Sequence, residues 1–214
     1  MMHTVFLNET FNKEALDSRL GWLHSPSSWR LDLGRSRLVI EPDSGTDFWQ
    51  KTYYGFRRDN GHFLCCAAPD NANAVVSARF HSYPSHQYDQ AGLMLRFSRT
   101  CWLKTSVEYE PDGLSQLGTV VTNHGYSDWS MEGFPAPAGG LGELVYWLRV
   151  RLHGSEVLVE HRVDEAGPWR LIRVARLAPK AGAQAACGIY ACSPQAGGYR
   201  VEVDFLRIDL EDQP

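Results

Sequence analysis

Apolar and polar residues alternate in short segments along almost the whole chain, and this pattern constrains the fold more than any other feature. A period of two is typical of β-strands that turn one face to a core. Turn sequences rich in Gly, Pro and Asp separate the segments. The predicted strands are 36–41, 75–81, 91–98, 101–109, 115–122, 145–153, 156–163, 169–176, 185–191 and 199–209.

Closely spaced strands without long helices predict an all-β, two-sheet antiparallel β-sandwich. Segments 145–153, 156–163 and 169–176 are expected to form an antiparallel meander. Only residues 12–20 carry a weak helical pattern. The Pro/Gly-rich stretch 133–143 is too short to separate domains, so we expect one domain over residues 1–214.

Composition excludes several classes of function. The net charge is −4 and no Lys/Arg-rich run occurs, so a nucleic-acid partner is not expected. No stretch approaches the roughly 20 apolar residues of a membrane helix, and the first residues do not resemble a secretory signal. Five cysteines without a C-x-x-C motif favour reduced thiols in the cytoplasm. Neither a metal site nor a cofactor is expected.

The strand at 101–110 carries unusual residues on the face that should point away from the core. Its odd positions, Leu103, Val107 and Tyr109, form an apolar face, whereas its even positions include Trp102, Lys104 and Glu108. The same register places Gln90 on the non-core face of a second strand. In a third strand it places Trp147, Arg149 and Arg151 there.

Two interpretations of these faces stay open. The first is a solvated sheet in which Arg and Glu pair across strands and Trp lies beneath Arg. The second is one shared groove, because rings stack on sugars while charged groups hydrogen-bond their hydroxyls.

Several strings resemble the DUF1349 family: YDQAGLMLRFSRTCWLKTSVEYEPDG (88–113), VVTNHGYSDWS (120–130) and DFWQKTYYGFRRDNGHFL (47–64). The resemblance continues through 147–177 and 188–208. It implies a concanavalin A-like lectin/glucanase jelly roll with a concave face. The family has no established biochemical function, and some members are labelled as regulators of a glycolytic enzyme. Matched positions expected to line the groove include Asp89, Thr122 and Trp129.

The predicted ligand-binding residues combine the register with the resemblance. They are Gln90, Trp102, Lys104, Glu108, Asn123, Tyr126, Asp128, Trp147, Arg149 and Arg151. The segment GYSDWS has a second interpretation, a rigid loop that holds Trp129 in the core.

Glu108 is the candidate acid if the protein is an enzyme. Lys104 precedes it by four residues on the same face, and a nearby ammonium group is expected to keep the carboxylate ionised. This favours a binding acid over a general acid. The leading hypothesis is therefore a cytoplasmic, carbohydrate-binding protein for a small glycan or sugar derivative. The alternatives are a glycoside hydrolase or lyase using Glu108, and a protein-interaction or regulatory module for a metabolic enzyme. A homodimer stays open.

Overall fold

The structure, a computed structural model, describes residues 3–69, 73–134 and 142–211. This part of the chain contains no helix, and so none that is long and apolar enough to cross a membrane. Its strands are β1 (His3–Glu9), β2 (Gly21–Leu23), β3 (Ser28–Asp32), β4 (Arg37–Glu41), β5 (Phe48–Gln50), β6 (Arg57–Asp59), β7 (His62–Ala67), β8 (Asn73–Tyr83), β9 (Gln90–Ser98), β10 (Cys101–Glu108), β11 (Ser115–Asn123), β12 (Tyr126–Phe134), β13 (Leu144–His153), β14 (Glu156–Arg162), β15 (Arg170–Arg176), β16 (Ala186–Cys192) and β17 (Arg200–Glu211).

Two antiparallel sheets pack face to face. Sheet 1 has the order β15-β14-β13-β8-β17-β4-β3, and β1 also pairs with β17. Sheet 2 has the order β12-β11-β10-β9-β16-β7-β2. Strands β5 and β6 form a separate hairpin. The predicted all-β sandwich is confirmed, whereas the assignment of residues 1–214 to one domain stays a prediction.

All ten predicted segments are strands, and the predicted meander is β13-β14-β15. The helical prediction for residues 12–20 is wrong, because this segment forms bends and turns. The buried carboxylate of Glu9 accepts hydrogen bonds from the backbone N–H groups of Phe11 and Asp17, both at 2.8 Å. These bonds fix the backbone in an irregular course. Residues 135–141 of the predicted loop 133–143 lie outside the described residues.

The main core lies between the two sheets and contains the apolar residues that the alternation assigned to it. Leu103 and Val107 reach it from β10, and Leu148 and Val150 reach it from β13. The register predicted for these strands is therefore confirmed.

A second apolar cluster lies on the opposite, outer face of sheet 2. It consists of Phe48, Phe63, Met94, Trp102, Val120, Tyr190 and Cys192. Phe48 belongs to β5, so the β5–β6 hairpin covers this outer face as a third layer. Burying a ring such as Phe48 contributes about 1.5–3 kcal/mol, which holds the hairpin in place.

Gly188 lets the strands of sheet 2 approach closely beneath the hairpin. A Cβ atom at this position would lie 2.0 Å from the backbone oxygen of Leu64. We expect Gly188→Ala to lower the free energy of unfolding by about 3 kcal/mol, because backbone atoms must move to relieve the clash.

Gly21→Ala is the matched control for this effect, since a Cβ atom there meets nothing within 4 Å. We expect it to change the free energy of unfolding by less than about 1 kcal/mol. Urea denaturation of both variants measures the difference. Equal stabilities of the two variants would contradict the close approach at Gly188.

Candidate functional site

The predicted site residues do not share one groove, because β10 and β13 belong to different sheets. Gln90, Trp102, Lys104 and Glu108 lie on the outer face of sheet 2. Trp147, Arg149 and Arg151 lie on the outer face of sheet 1, with the main core between the two groups. Asn123, Tyr126 and Asp128 lie on the β11–β12 hairpin. The expectation of a single shared groove is therefore wrong.

On sheet 1 the charged residues form a lattice of ion pairs. Arg149 donates to both carboxylate oxygens of Glu160, at 2.6 and 2.8 Å. Arg151 donates to Glu160 at 3.1 Å and to Glu211 at 3.0 Å. Burial would raise the pKa of Glu160, but the hydrogen bonds from the two arginines outweigh it and hold that pKa below its usual range.

The tryptophans of this face lie beneath arginines. The guanidinium of Arg79 lies 4.5 Å from the ring centre of Trp147, which is buried. The guanidinium of Arg149 lies 4.2 Å from the ring centre of Trp169. On this face the first interpretation, a paired Arg–Glu surface with Trp beneath Arg, describes the geometry.

The β11–β12 hairpin holds its predicted residues in different surroundings. Asn123 donates to the backbone oxygen of Arg176 and accepts from the N–H of Ala178, both at 2.8 Å, so its side chain ties two segments together. Asp128 accepts a hydrogen bond from Arg173 at 2.9 Å, which bridges the edges of the two sheets. Tyr126 is exposed and its ring contacts the ammonium of Lys51.

GYSDWS is neither a loop nor part of the main core, which corrects the second interpretation of this segment. Gly125 ends the turn before β12 and the other five residues belong to β12, where Trp129 packs on the outer face of sheet 2 against the second cluster. Thr122 is buried and its hydroxyl bonds to Ser127 at 2.7 Å. Asp89 is also buried and holds the backbone N–H groups of Ser85 and His86, so it orders a turn.

The outer face of sheet 2 is closed around Trp102 and Lys104, which corrects the expectation of an open groove at these residues. Trp102 is 0% exposed, because the hairpin places Phe48 with its ring centre 6.3 Å from that of Trp102. Lys104 is 2% exposed. A ring in this position cannot stack on a ligand that arrives from solvent.

The ammonium of Lys104 has its hydrogen-bond partners within the protein. Its ammonium donates to Asp47 at 2.8 Å and to Gln90 at 2.9 Å, and the hydroxyl of Tyr190 donates to the same Gln90 oxygen at 3.0 Å. Burial alone would lower the pKa of Lys104, but the charges of Asp47 and Glu108 outweigh it and raise that pKa. The ion pair with Asp47 therefore fastens the base of the hairpin to sheet 2.

Glu108 behaves differently from the sequence-based expectation. The residue is 6% exposed, and the ammonium of Lys104 donates to Asp47 and Gln90 and not to its carboxyl. Burial raises the pKa of Glu108 to about 7, against the opposing effect of the Lys104 ammonium. The expectation that Lys104 keeps this carboxylate ionised is wrong, because burial outweighs the charge of the ammonium.

Two buried donors on the same face lack a partner among the described residues: the side-chain nitrogens Nε2 of Gln50 and Nε1 of Trp129. The Trp129 nitrogen lies 2.6 Å from where a Cβ atom of Gly118 would be. Gly118, Ser106 and Gly92 are paired neighbours on three strands and leave little side-chain volume there. A buried donor without an acceptor costs about 1–3 kcal/mol, so an acceptor group at this place would be stabilising.

The sequence analysis missed the residues that close this face, Asp47, Phe48 and Gln50. Strands β5 and β6 have three residues each, too few for an alternation signal. The strands of sheet 2 carry a sequence signal that could have indicated the covering hairpin. Trp102, Met94 and Val120 share the non-core face of three neighbouring strands, and such an apolar set indicates a covering layer.

The described part of the chain holds no group of three or more His, Cys, Asp and Glu placed to bind a metal ion.

A family model described as "Protein of unknown function (DUF1349)" matches residues 22–211. The chain belongs to the DUF1349 family. This DUF1349 protein is 36% identical over 180 residues to "Regulation of enolase protein 1" of Saccharomyces cerevisiae, which covers 84% of each chain.

Solved structures agree with the fold. A functionally unknown protein from Saccharomyces cerevisiae matches the DUF1349 protein with a TM-score of 0.78 and 32% identity, over 92% of this chain and 98% of that one. A mutant of the GH43 protein BlXynB from Bacillus licheniformis matches with a TM-score of 0.73 and 16% identity, over 95% of this chain but only 39% of that one. The second likeness concerns the fold alone, which is the concanavalin A-like sandwich of such glycosidases.

Proposed function

We propose that this chain is a regulatory binding protein that acts on a metabolic enzyme rather than a catalyst. The observation that carries the proposal is the closed outer face of sheet 2. The β5–β6 hairpin occupies the place where the groove was expected and turns its own tip toward solvent. The name of the yeast relative, which is similar over 84% of both chains, supports enolase as the enzyme.

A cytoplasmic location belongs to this proposal. All five cysteines are free, and four of them are buried. Free thiols in such number persist in reducing compartments, where glycolytic enzymes also work.

Isothermal titration calorimetry with purified Saccharomyces cerevisiae enolase tests the proposal. We expect a dissociation constant of about 10 μM or tighter, together with a change in the rate of enolase turnover. An unrelated glycolytic enzyme in the same titration is the control. Absence of heat up to about 100 μM enolase, with an unchanged rate, would remove enolase as the partner.

A second candidate function is the binding of a small carbohydrate or sugar derivative on the outer face of sheet 2. The unpartnered donors of Gln50 and Trp129 support it, because sugar hydroxyls supply acceptors. Glu108 lies on the same face. Such a ligand must enter beneath the hairpin, since the face is covered.

Gln50→Met tests this candidate with two opposite readouts. Methionine is similar in volume to glutamine but lacks the unpartnered donor. We therefore expect the free energy of unfolding of the ligand-free protein to be unchanged or up to about 2 kcal/mol higher. We also expect the variant to lose any thermal shift that a glycan or sugar phosphate causes in the unmodified protein. Thermal denaturation with and without the sugars measures both effects.

Arg149→Ala is the control for this experiment, because it lies on the outer face of sheet 1 and should keep the shift. A sugar-induced shift of the same size in Gln50→Met, or no shift in the unmodified protein, would contradict the carbohydrate site.

Glycoside hydrolysis or a lyase reaction using Glu108 is a third candidate, and one observation favours it. A pKa of about 7 leaves a large fraction of Glu108 protonated at neutral pH, as a general acid requires. The nearest acid along the chain, Glu110, follows the end of β10 and accepts a hydrogen bond from Gln87 at 2.8 Å. Glycan cleavage that disappears in Glu108→Gln would support this candidate over the other two.

A further inference from the structure

We infer that the tip of the β5–β6 hairpin, residues 51–58, is a docking surface for an acidic segment of a partner protein. The inference rests on the proposed regulatory role, because it names the surface through which a partner would be held. It concerns the outward side of the hairpin, away from the buried site on sheet 2.

The tip exposes large rings, which is unusual for residues without a binding role. Tyr54 is 99% exposed, Tyr53 is 72% exposed and Phe56 is 42% exposed. Tyr126 of the neighbouring hairpin adds a fourth exposed ring, in contact with Lys51. Tyrosine is enriched among the residues that dominate binding energy at interfaces.

The backbone of the tip adopts an energetically costly conformation. Lys51, Tyr53 and Tyr54 have φ angles of 59°, 65° and 56°, in the left-handed region that non-glycine residues rarely adopt. Each such residue costs on the order of 1 kcal/mol. A conformation of this kind points to function, because the simplest turn would avoid it.

The hairpin is nevertheless well anchored at its base. Within the tip, the N–H of Lys51 donates to the backbone oxygen of Phe56 at 2.8 Å, and the indole N–H of Trp49 donates to that of Thr52 at 2.6 Å. The N–H of Gln50 donates to the hydroxyl of Ser127 on β12 at 2.9 Å. A preformed, anchored surface loses little conformational entropy on binding.

The charge of the tip identifies the chemistry of the partner. Lys51, Arg57 and Arg58 form no ion pair with any residue that the structure describes. The two acids that flank the tip are already engaged, Asp47 with Lys104 and Asp59 with Arg96 and Arg99. The tip is therefore a basic, aromatic patch on a chain whose net charge is −4. A partner surface rich in carboxylates and rings complements it.

A fluorescent random copolymer of glutamate and tyrosine is the probe for this surface. We expect it to bind the unmodified protein, and the triple variant Lys51→Glu/Arg57→Glu/Arg58→Glu to bind it at least about tenfold more weakly. We expect a similar loss from Tyr53→Ser/Tyr54→Ser, because the rings lose their contacts. The control triple Lys13→Glu/Arg170→Glu/Lys180→Glu reverses three other exposed cations and gives the same net charge. It should change the affinity by less than about threefold.

Three results would overturn the inference. The first is an equal loss in the control triple or no loss in the tyrosine variant, which indicates attraction by net charge alone. The second is tighter hairpin-dependent binding of oligo(dT), which indicates a nucleic-acid partner. The third is self-association in sedimentation that the hairpin substitutions abolish, which assigns the tip to a second copy of the chain.

Enolase binding, measured with the unmodified protein and with the hairpin triple, distinguishes a failure of this inference from a failure of the proposed function. If enolase binds the unmodified protein and the hairpin triple equally well, the regulatory role stands and the docking surface is wrong. If enolase does not bind but the copolymer binds through the hairpin, the docking surface stands and the partner is a different protein.

Discussion

Glu108→Gln is expected to stabilise the protein above neutral pH and to leave it almost unchanged below pH 5. The folded state holds the pKa of Glu108 near 7 instead of 4.5, because burial penalises the ionised form. The folded protein therefore binds this proton more tightly than the unfolded chain does. The stability that it contributes is present below the unfolded pKa and is lost as the pH rises through 7.

The expected difference follows from the size of the shift. At pH 9 the ionised Glu108 costs about 3 kcal/mol, and the neutral glutamine removes this cost. Urea denaturation of both proteins at pH 5 and pH 9 measures it. Glu156→Gln, an exposed carboxyl on β14, is the control and should stay within about 0.5 kcal/mol at both pH values. A loss of stability at pH 9 in Glu108→Gln would mean that the ionised form is stabilised by its surroundings.

Trp102→Ala is expected to have the largest effect on stability, a loss of about 3–5 kcal/mol. The ring is fully buried between sheet 2 and Phe48 of the hairpin, so truncation leaves a cavity and weakens the contact that holds the hairpin. Trypsin should also cleave faster after Arg57 and Arg58, since the loosened hairpin reaches the protease more often.

Tyr54→Ala is the matched control for Trp102→Ala, because its ring is 99% exposed. We expect it to change the free energy of unfolding by less than about 0.5 kcal/mol. A cost below about 1 kcal/mol for Trp102→Ala would indicate a ring in contact with solvent, as an open groove requires.

The sequence was sufficient to predict the register of long alternating strands such as β10 and β13, because alternation depends only on local spacing. Leu103 and Leu148 face the main core for this reason. Alternation does not specify which sheet a strand joins, since that depends on pairing between distant segments. The pairing of β13 with β8, and of β10 with β9 and β11, separates Arg149 from Glu108.

The hydrogen-bond partners of Lys104 and the ionisation of Glu108 also depend on contacts between distant segments, which alternation does not specify. Lys104 and Glu108 are four residues apart in β10, and the spacing alone suggests a direct ion pair. The hairpin brings Asp47 to within 2.8 Å of the ammonium, which therefore donates to Asp47 and Gln90 and not to Glu108. A three-residue strand such as β5 has too little pattern to predict where it packs.

A pH titration of the Glu108 side-chain carboxyl, followed by carbon-13 NMR with Glu108→Gln to assign the signal, tests the closed face most directly. We predict a midpoint near pH 7. A midpoint near 4.5 would place this carboxyl in water. The outer face of sheet 2 would then be an open groove and not a surface covered by the β5–β6 hairpin.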